Sequence, residues 1–441
     1  MGTRGERDAK LAADSDAICR MGSLMLGAGT GSYRVKAAMG RVAAALGVED
    51  LEAQVSLSEI VATTRADRSF RTQVVEVPAP VVDSDRIEEL MRLSLRAQPG
   101  LTPDQLQAQL DAVESRPHLY REPVIVAGAA LACAAFAFLN NGRWQDCLAA
   151  ALAAALGKLV QLFARRLRLN HLVIVALAAT TACLVYMLTA AVFQFLLPGS
   201  QLVHGAAFTS AILFLVPGFP LITAALDLAR FDYTSGVSRL LHSALITMAA
   251  SVGAWVVALT YNLTPTEIEL VALGSWALLG FRLLASFFGV LGFALTFNTP
   301  WRVALGASVI GTLANVPRLF AMDAGGNPLL CAAAGTLIVG LLAAFAAQRF
   351  LAPRITLSVP AMLIMIPGAS TYRALVAVID RDPIAALTNG TTAIGIVVAL
   401  AAGLVIARML TDPAWTSTNP TWTHMPRTRA QERLRGTITR D

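Results

Sequence analysis

A polytopic α-helical membrane protein is the architecture this sequence predicts: about ten transmembrane helices as two inverted five-helix repeats, preceded by a small cytoplasmic α/β domain. Composition is the first reason. Of 441 residues, 56% are hydrophobic and 15% charged, with a mean hydropathy of +0.60, which is too apolar and too poor in charge for a soluble globular chain. Distribution is the second, because residues 1–122 carry ordinary charge density while Pro123 to Leu410 is a series of apolar stretches separated by short polar breaks. The third is a matched pair of interruptions. Val216-Pro217-Gly218-Phe219-Pro220 lies midway along one membrane-length stretch, and Ile366-Pro367-Gly368-Ala369 lies midway along another. Proline removes a backbone donor and glycine loosens φ, so each pair unwinds a helix where hydrocarbon would otherwise forbid it. Two such breaks at corresponding places in two halves point to a substrate site between them.

The N-terminal domain, 1–122, reads as helix over Ala17 to Gly27 and Tyr33 to Leu46. Leu51 to Thr64 and Phe70 to Val77 are rich in β-formers, and helix returns over Asp85 to Arg96 and Pro103 to Ser115. Thr102 can cap the last helix, with Pro103 at its first position and Gln105 completing a capping box. Gly27-Ala28-Gly29-Thr30-Gly31-Ser32 invites a nucleotide-binding reading, but a dinucleotide fingerprint follows a strand and a Walker loop needs Gly-Lys-Ser/Thr. These glycines join two helices, as a turn from which Ser32 can cap the next one. No removable secretory signal opens the chain, so the domain is expected in the cytoplasm.

A membrane crossing needs about 20 apolar residues. Such stretches run near 123–140, 145–163, 172–197, 205–227, 237–261, 273–297, 302–321, 328–348, 356–379 and 388–410. The sixth has an open start, since Glu267 to Arg282 also reads as a separate interfacial or re-entrant segment. With the first 122 residues inside, the internal loops hold Arg165, Arg166, Arg168, Arg230, Arg239, Arg302, Arg349 and Arg354. Only Arg143, Arg318 and Arg381 fall outside. This asymmetry obeys the positive-inside rule and puts both termini in the cytoplasm of a cell-membrane protein. The basic tail, 411–441, contains Arg427, Arg429, Arg433 and Arg435; beside a membrane helix these read as a topology signal and not as a nucleic-acid site.

The halves, 123–261 and 262–410, repeat. Residues 136–144 match residues 293–301 at four of nine positions, at an offset of 157, while the Pro-Gly breaks recur at an offset of 150. Five helices is an odd number, so the second half enters from the opposite side and the repeats are inverted. Asn140 and Asn298 are read as equivalent helix ends.

Several runs resemble the threonine/serine exporter family. They are Leu26-Gly27-Ala28-Gly29-Thr30-Gly31-Ser32-Tyr33-Arg34-Val35 with Arg41 to Val48, and Pro217 to Ile222 with Asp227-Leu228 and Asp232 to Gly236. The second half adds Leu291-Gly292-Phe293-Ala294 with Phe297-Asn298 and Pro300, then Ile366-Pro367-Gly368 with Tyr372-Arg373. The resemblance spans about Asp16 to Met409. It implies export of threonine, serine or related small solutes driven by the proton motive force, and the family includes two-polypeptide forms associated with dicarboxylates such as succinate.

Pro217, Gly218, Pro367 and Gly368 are the first candidates for the substrate site, because a broken helix presents free N–H groups and carbonyls that suit a zwitterion. The competing reading is that each break merely kinks a helix. Thr371 and Tyr372 can lend hydroxyls, and Arg373 can fork onto a carboxylate, unless it pairs with Asp380 or snorkels. Asp227 is the candidate for proton coupling, with a structural pairing to Arg230 or Arg239 as the alternative. Lys158 reads as snorkelling, and Arg282 as deep or interfacial according to where the sixth span begins. Scattered Cys19, Cys133, Cys147, Cys183 and Cys331 suggest neither disulfide nor metal, and no cofactor is expected. Partners are a small solute, protons and the bilayer, with a homo-oligomer as an option. A passive channel is the rival class. A membrane hydrolase lacks a suitable motif, so no enzyme is expected.

Overall fold

The computed structural model describes residues 4–66, 69–77, 81–197, 205–261 and 274–416. The N-terminal unit runs α1 (Arg4–Gly27), α2 (Ser32–Leu46), β1 (Asp50–Val55), β2 (Glu59–Ala66), β3 (Ser69–Glu76), α3 (Ser84–Arg96) and α4 (Pro103–Glu114). Its strands form an antiparallel meander in which Ile60 of β2 faces Val55 of β1 and Val75 of β3. The β-rich stretch 51–64 is therefore two strands. Ser56, Leu57 and Ser58 turn the chain, and the Ser56 N–H closes on the Glu59 carbonyl at 2.9 Å. Alternation along β2 buries Ile60, Ala62 and Thr64, and the first two join Ile18, Met21, Met25 and Met39 in the unit's core. The capping box at Thr102 and Gln105 forms as expected.

One acid in this core is under strain. Glu88 on α3 is buried, its Oε1 accepts from Arg92, and its Oε2 has no partner among the described residues. Burial pushes its carboxyl up to about 7, with the Arg92 charge opposing the rise.

Among the described residues eight helices are long and apolar enough to cross a membrane: α5 (Glu122–Leu139), α6 (Trp144–Arg166), α7 (His171–Leu196), α10 (Tyr233–Thr260), α11 (Ser275–Thr296), α12 (Trp301–Asp323), α13 (Pro328–Phe350) and α16 (Pro383–Thr411). The chain is a multi-pass membrane protein. Helix α6 displays the logic of such spans, exposing Leu148, Leu152, Leu156, Leu159 and Phe163 while burying Ala149, Ala153 and Ala154. Apolar bulk faces lipid, and small residues let backbones approach. Two more apolar segments are interrupted. One is α8 (Gly205–Ser210), a 3-10 turn at Leu213–Leu215 and α9 (Gly218–Leu228); the other is α14 (Arg354–Leu363) and α15 (Gly368–Ile379). The start of the sixth span, 262–273, and the arginines of the tail lie outside the described residues.

Three long helices, an interrupted segment and a fourth long helix thus occur twice in order. Helix ends repeat as well. Positive φ angles pair Asn141 (65°) with Asn298 (53°), Arg168 (55°) with Gly325 (86°), and Phe231 (61°) with Arg381 (56°). At the first of these pairs, N–H groups of Gly142 and Thr299 return to Ala137 and Ala294 carbonyls at 2.8 and 3.0 Å, closing left-handed caps. The partner of Asn298 is therefore Asn141. Asn140 instead ends α5 in a right-handed turn, donating Nδ2 to the Phe136 carbonyl at 2.9 Å. Helices α5 and α11 cross antiparallel: Gly128 lies on Gly292, Ala135 on Gly289, and the Phe138 and Phe281 rings stand 5.8 Å apart.

The α/β unit docks on the helical bundle through buried polar contacts. Asp227 at the end of α9 is fully buried and accepts from the Ser32 N–H at 3.1 Å and from Ser235 Oγ at 2.8 Å. Its Oδ2 lies 3.3 Å from Arg239 Nε, and Arg239 Nη2 donates to the Thr30 carbonyl at 2.7 Å. A carboxylate from the bundle therefore caps α2 where the macrodipole favours negative charge. Ser32, expected as that cap, instead donates its hydroxyl to Asp232 at 2.8 Å, and Lys36 pairs with the same carboxylate at 2.6 Å. A second contact joins Asp83, the N-cap of α3, to Asn298 Nδ2 at 2.8 Å, while the Leu119 N–H donates to Asn298 Oδ1 at 2.9 Å.

Two outcomes are expected. Glu88→Gln should raise the melting temperature at pH 8 and leave it unchanged at pH 5: a carboxyl whose folded pKa is raised stabilises below its unfolded value and loses that contribution as pH climbs through about 7. Asp227→Ala strands a buried guanidinium, a loss on the order of 3–5 kcal/mol. Thermal unfolding and proteolysis of the Gly29–Ser32 turn should both report it.

Candidate functional site

Both interruptions use one backbone device. Pro217 has φ −79° and ψ 56°, Pro367 has φ −79° and ψ 67°. The glycine N–H that follows returns two residues, Gly218 to Val216 O at 2.8 Å and Gly368 to Ile366 O at 2.9 Å. Each proline thus centres an inverse γ-turn, its ring fixing φ and its missing N–H leaving nothing to satisfy. Just upstream, 3-10 bonds run from Val216 to Leu213 at 3.0 Å and from Ile366 to Leu363 at 3.2 Å. The donors are satisfied locally, and carbonyls are freed.

The breaks lie against each other's halves. Pro217, Gly218, Pro367 and Gly368 are all buried. Gly218 packs on Leu363 of the other interrupted segment so closely that a Cβ would collide with its side chain. A Cβ on Gly368 would lie 2.6 Å from the Phe136 ring, and Thr209 of α8 donates to the Gly368 carbonyl at 3.2 Å. Each break is thus covered by a residue of the opposite half, Gly218 by Leu363 and Gly368 by Phe136 and Thr209. Thr371 and Arg373 are exposed on α15, and the Thr371 hydroxyl turns back to the Pro367 carbonyl at 2.8 Å. The Tyr372 side chain lies outside the described residues. Asp227 sits at the far end of α9 from Gly218, beneath the α/β unit.

Other polar side chains flank the breaks. Lys158 does not snorkel: only 8% exposed, it donates to Gln161 Oε1 at 2.8 Å and lies 5.9 Å from the centre of the Phe214 ring. Arg318, expected in an outer loop, is inside α12 and 9% exposed. Its Nη1 donates to Asn315 Oδ1 at 3.0 Å and its Nη2 to the Met365 carbonyl at 3.4 Å. Asn315 in turn donates to Ser286 at 3.0 Å. Counting charge by predicted loops misplaced Arg318; extending the 157-residue offset along α6 and α12 would have set it opposite Gln161. Arg282 is deep but paired, 2.5 Å from Asp323 and over the Phe320 ring.

Comparison with known proteins identifies the family. A threonine/serine exporter family profile matches residues 16–261, and a second, "Threonine/Serine exporter, ThrE", matches residues 282–410. A threonine/serine exporter of Corynebacterium glutamicum is 25% identical over 89% of this chain and 82% of its own. One so named in Mycobacterium tuberculosis is 26% identical over 90% and 76%. A protein of Escherichia coli K12 named as the succinate transporter subunit YjjP is 28% identical, covering 54% of this chain and 91% of its own. No solved structure matches. The chain belongs to the threonine/serine exporter family.

Proposed function

We propose that this chain is a secondary active exporter that moves threonine, serine or a related small carboxylate-bearing solute out of the cytoplasm, coupled to the proton motive force. The observation that carries the reading is a pair of identically built helix breaks, each covered by the opposite half. Irregular backbone at membrane depth is tolerated where protein buries it or where it lines a cavity, and paired breaks in two halves are the pointer to a solute site. In this reading residues 123–261 and 262–410 are inverted repeats. The antiparallel crossing of α5 and α11 supports the inversion, as does the docking of one α/β unit beside both the start of α5 and the end of α11. The unit at 1–122 and the tail at 411–441 are then cytoplasmic, in a protein of the cell membrane.

Pro217, Gly218, Pro367 and Gly368 form the substrate junction in this proposal. Thr371 and Arg373 of α15 line the path from it, and Tyr372 is kept as a candidate on its sequence position alone. Asp227 carries the proton. Its protonation would cancel the charge that holds Arg239 and the start of α2, linking proton uptake to the grip of the α/β unit on the bundle. A dicarboxylate is the second reading of the substrate, favoured by the likeness to a protein named as a succinate transporter subunit.

Protein reconstituted in vesicles should accumulate labelled threonine or succinate against its gradient under an imposed pH difference, and a protonophore should abolish that accumulation. Transport that runs on undiminished would mark a passive channel. Asp227→Asn should uncouple uptake from the pH difference while exchange persists. Gly368→Val should cut the transport rate, because the added methyl groups overpack the Phe136 contact by about 1–3 kcal/mol.

A further inference from the structure

We propose that two buried cation–amide pairs, Lys158–Gln161 and Asn315–Arg318, are carboxylate sites for the exported solute, one beside each break: a dicarboxylate engages both and an amino acid either. The inference rests on the exporter reading and names the residues that would give it anion selectivity.

The two pairs occupy the same places in the repeat. Trp144 and Trp301 begin α6 and α12, and Asn141 and Asn298 take up the same left-handed turn just before them. Carried along both helices, this offset of 157 sets Lys158 on Asn315 and Gln161 on Arg318. Each helix thus bears one cation and one amide three residues apart, with the order exchanged. In both, the cation donates to the amide oxygen, at 2.8 and 3.0 Å.

Each pair also looks onto its own interruption. Lys158 lies over Phe214, three residues before Pro217, and Arg318 donates to the carbonyl of Met365, two residues before Pro367. A side-chain amide orients a cation without neutralising it. Among the described residues neither Lys158 nor Arg318 has a carboxylate within ion-pair distance, a condition shared by buried Arg34 of α2 and Arg408 of α16, whereas buried Arg239 and Arg282 pair with Asp227 and Asp323; what sets Lys158 and Arg318 apart is that each adjoins a break. Arg318 Nε, buried, has no acceptor among the described residues. An unpaired charge in such surroundings is destabilising unless something supplies the counter-charge, and a guanidinium edge with one N–H free suits a carboxylate oxygen. The solute is that counter-charge.

The test uses the full chain in vesicles, with labelled threonine and labelled succinate as probes and melting temperature as a parallel readout. Arg318→Gln and Lys158→Gln should each raise KM by about tenfold or more for the transported carboxylate, the scale of one lost charge-assisted hydrogen bond. Their melting temperatures without solute should hold or rise, because an unpaired buried charge has gone, and the solute's own stabilising shift should shrink. The exchanged double variant Lys158→Gln with Gln161→Lys should recover part of the lost affinity. A wild-type KM in both single variants overturns the proposal, as does a fall in melting temperature with KM unchanged, which would mark the pairs as structural. Should Arg318→Gln fail to accumulate, Lys158→Gln and Arg318→Lys decide by the same criteria. Wild-type protein that moves neither probe would instead sink the exporter reading itself.

Discussion

Hydrocarbon offers no hydrogen bonds, and this one constraint organises the bundle. A chain may leave the helix inside a membrane only where other protein covers the released groups. Both interruptions obey it in the same way, with a proline that has no donor to satisfy and a glycine whose N–H closes a γ-turn onto a nearby carbonyl. The remaining exposure is removed by packing, since Gly218 lies on Leu363 and the Gly368 carbonyl receives Thr209. Each break is possible because the other half covers it, so the two segments stand or fall together.

The α/β unit is fixed to this bundle by a buried charge pair as well as by apolar contact, Ala28 and Ile87 joining the cluster that holds Phe219, Leu226 and Phe293. Asp227 and Arg239 are both removed from water, yet their remaining hydrogen-bonding capacity goes to backbone and hydroxyl groups of α2, the preceding turn and α10. A buried pair of this kind adds little net stability but penalises any arrangement that separates its members. It therefore acts as a specific latch between a unit rich in ordinary side-chain polarity and the ends of α9 and α10. Such a latch can answer to events in the bundle, because α9 begins at the first break and ends at Asp227.

Much of this was legible in order of residues alone. The ten apolar stretches fall within a few residues of the eight long helices and two interrupted segments, because length and hydropathy are local properties. The capping box at Thr102 was legible for the same reason. The equivalence of helix ends was legible too: the offset of 157 sets Asn141, not Asn140, on Asn298, and backbone φ places the left-handed turn at Asn141. Where a strand ends was not. The 51–64 stretch looked continuous because Ser56 and Ser58 are weak turn formers whose effect needs a partner strand.

The candidate site divides along the same line. Sequence by itself determined where the chain must break, since proline and glycine act through their own covalent geometry, and it determined where the apolar spans lie. Which side chains attend the breaks was decided by tertiary structure. Lys158 and Arg318 are single cations in apolar helices, and nothing local distinguishes one that reaches for the surface from one enclosed by a neighbouring helix. Asp227 likewise found its partners 195 residues earlier and 12 residues later. Burial and pairing are properties of the surroundings a residue acquires on folding, and the sequence near it does not contain them.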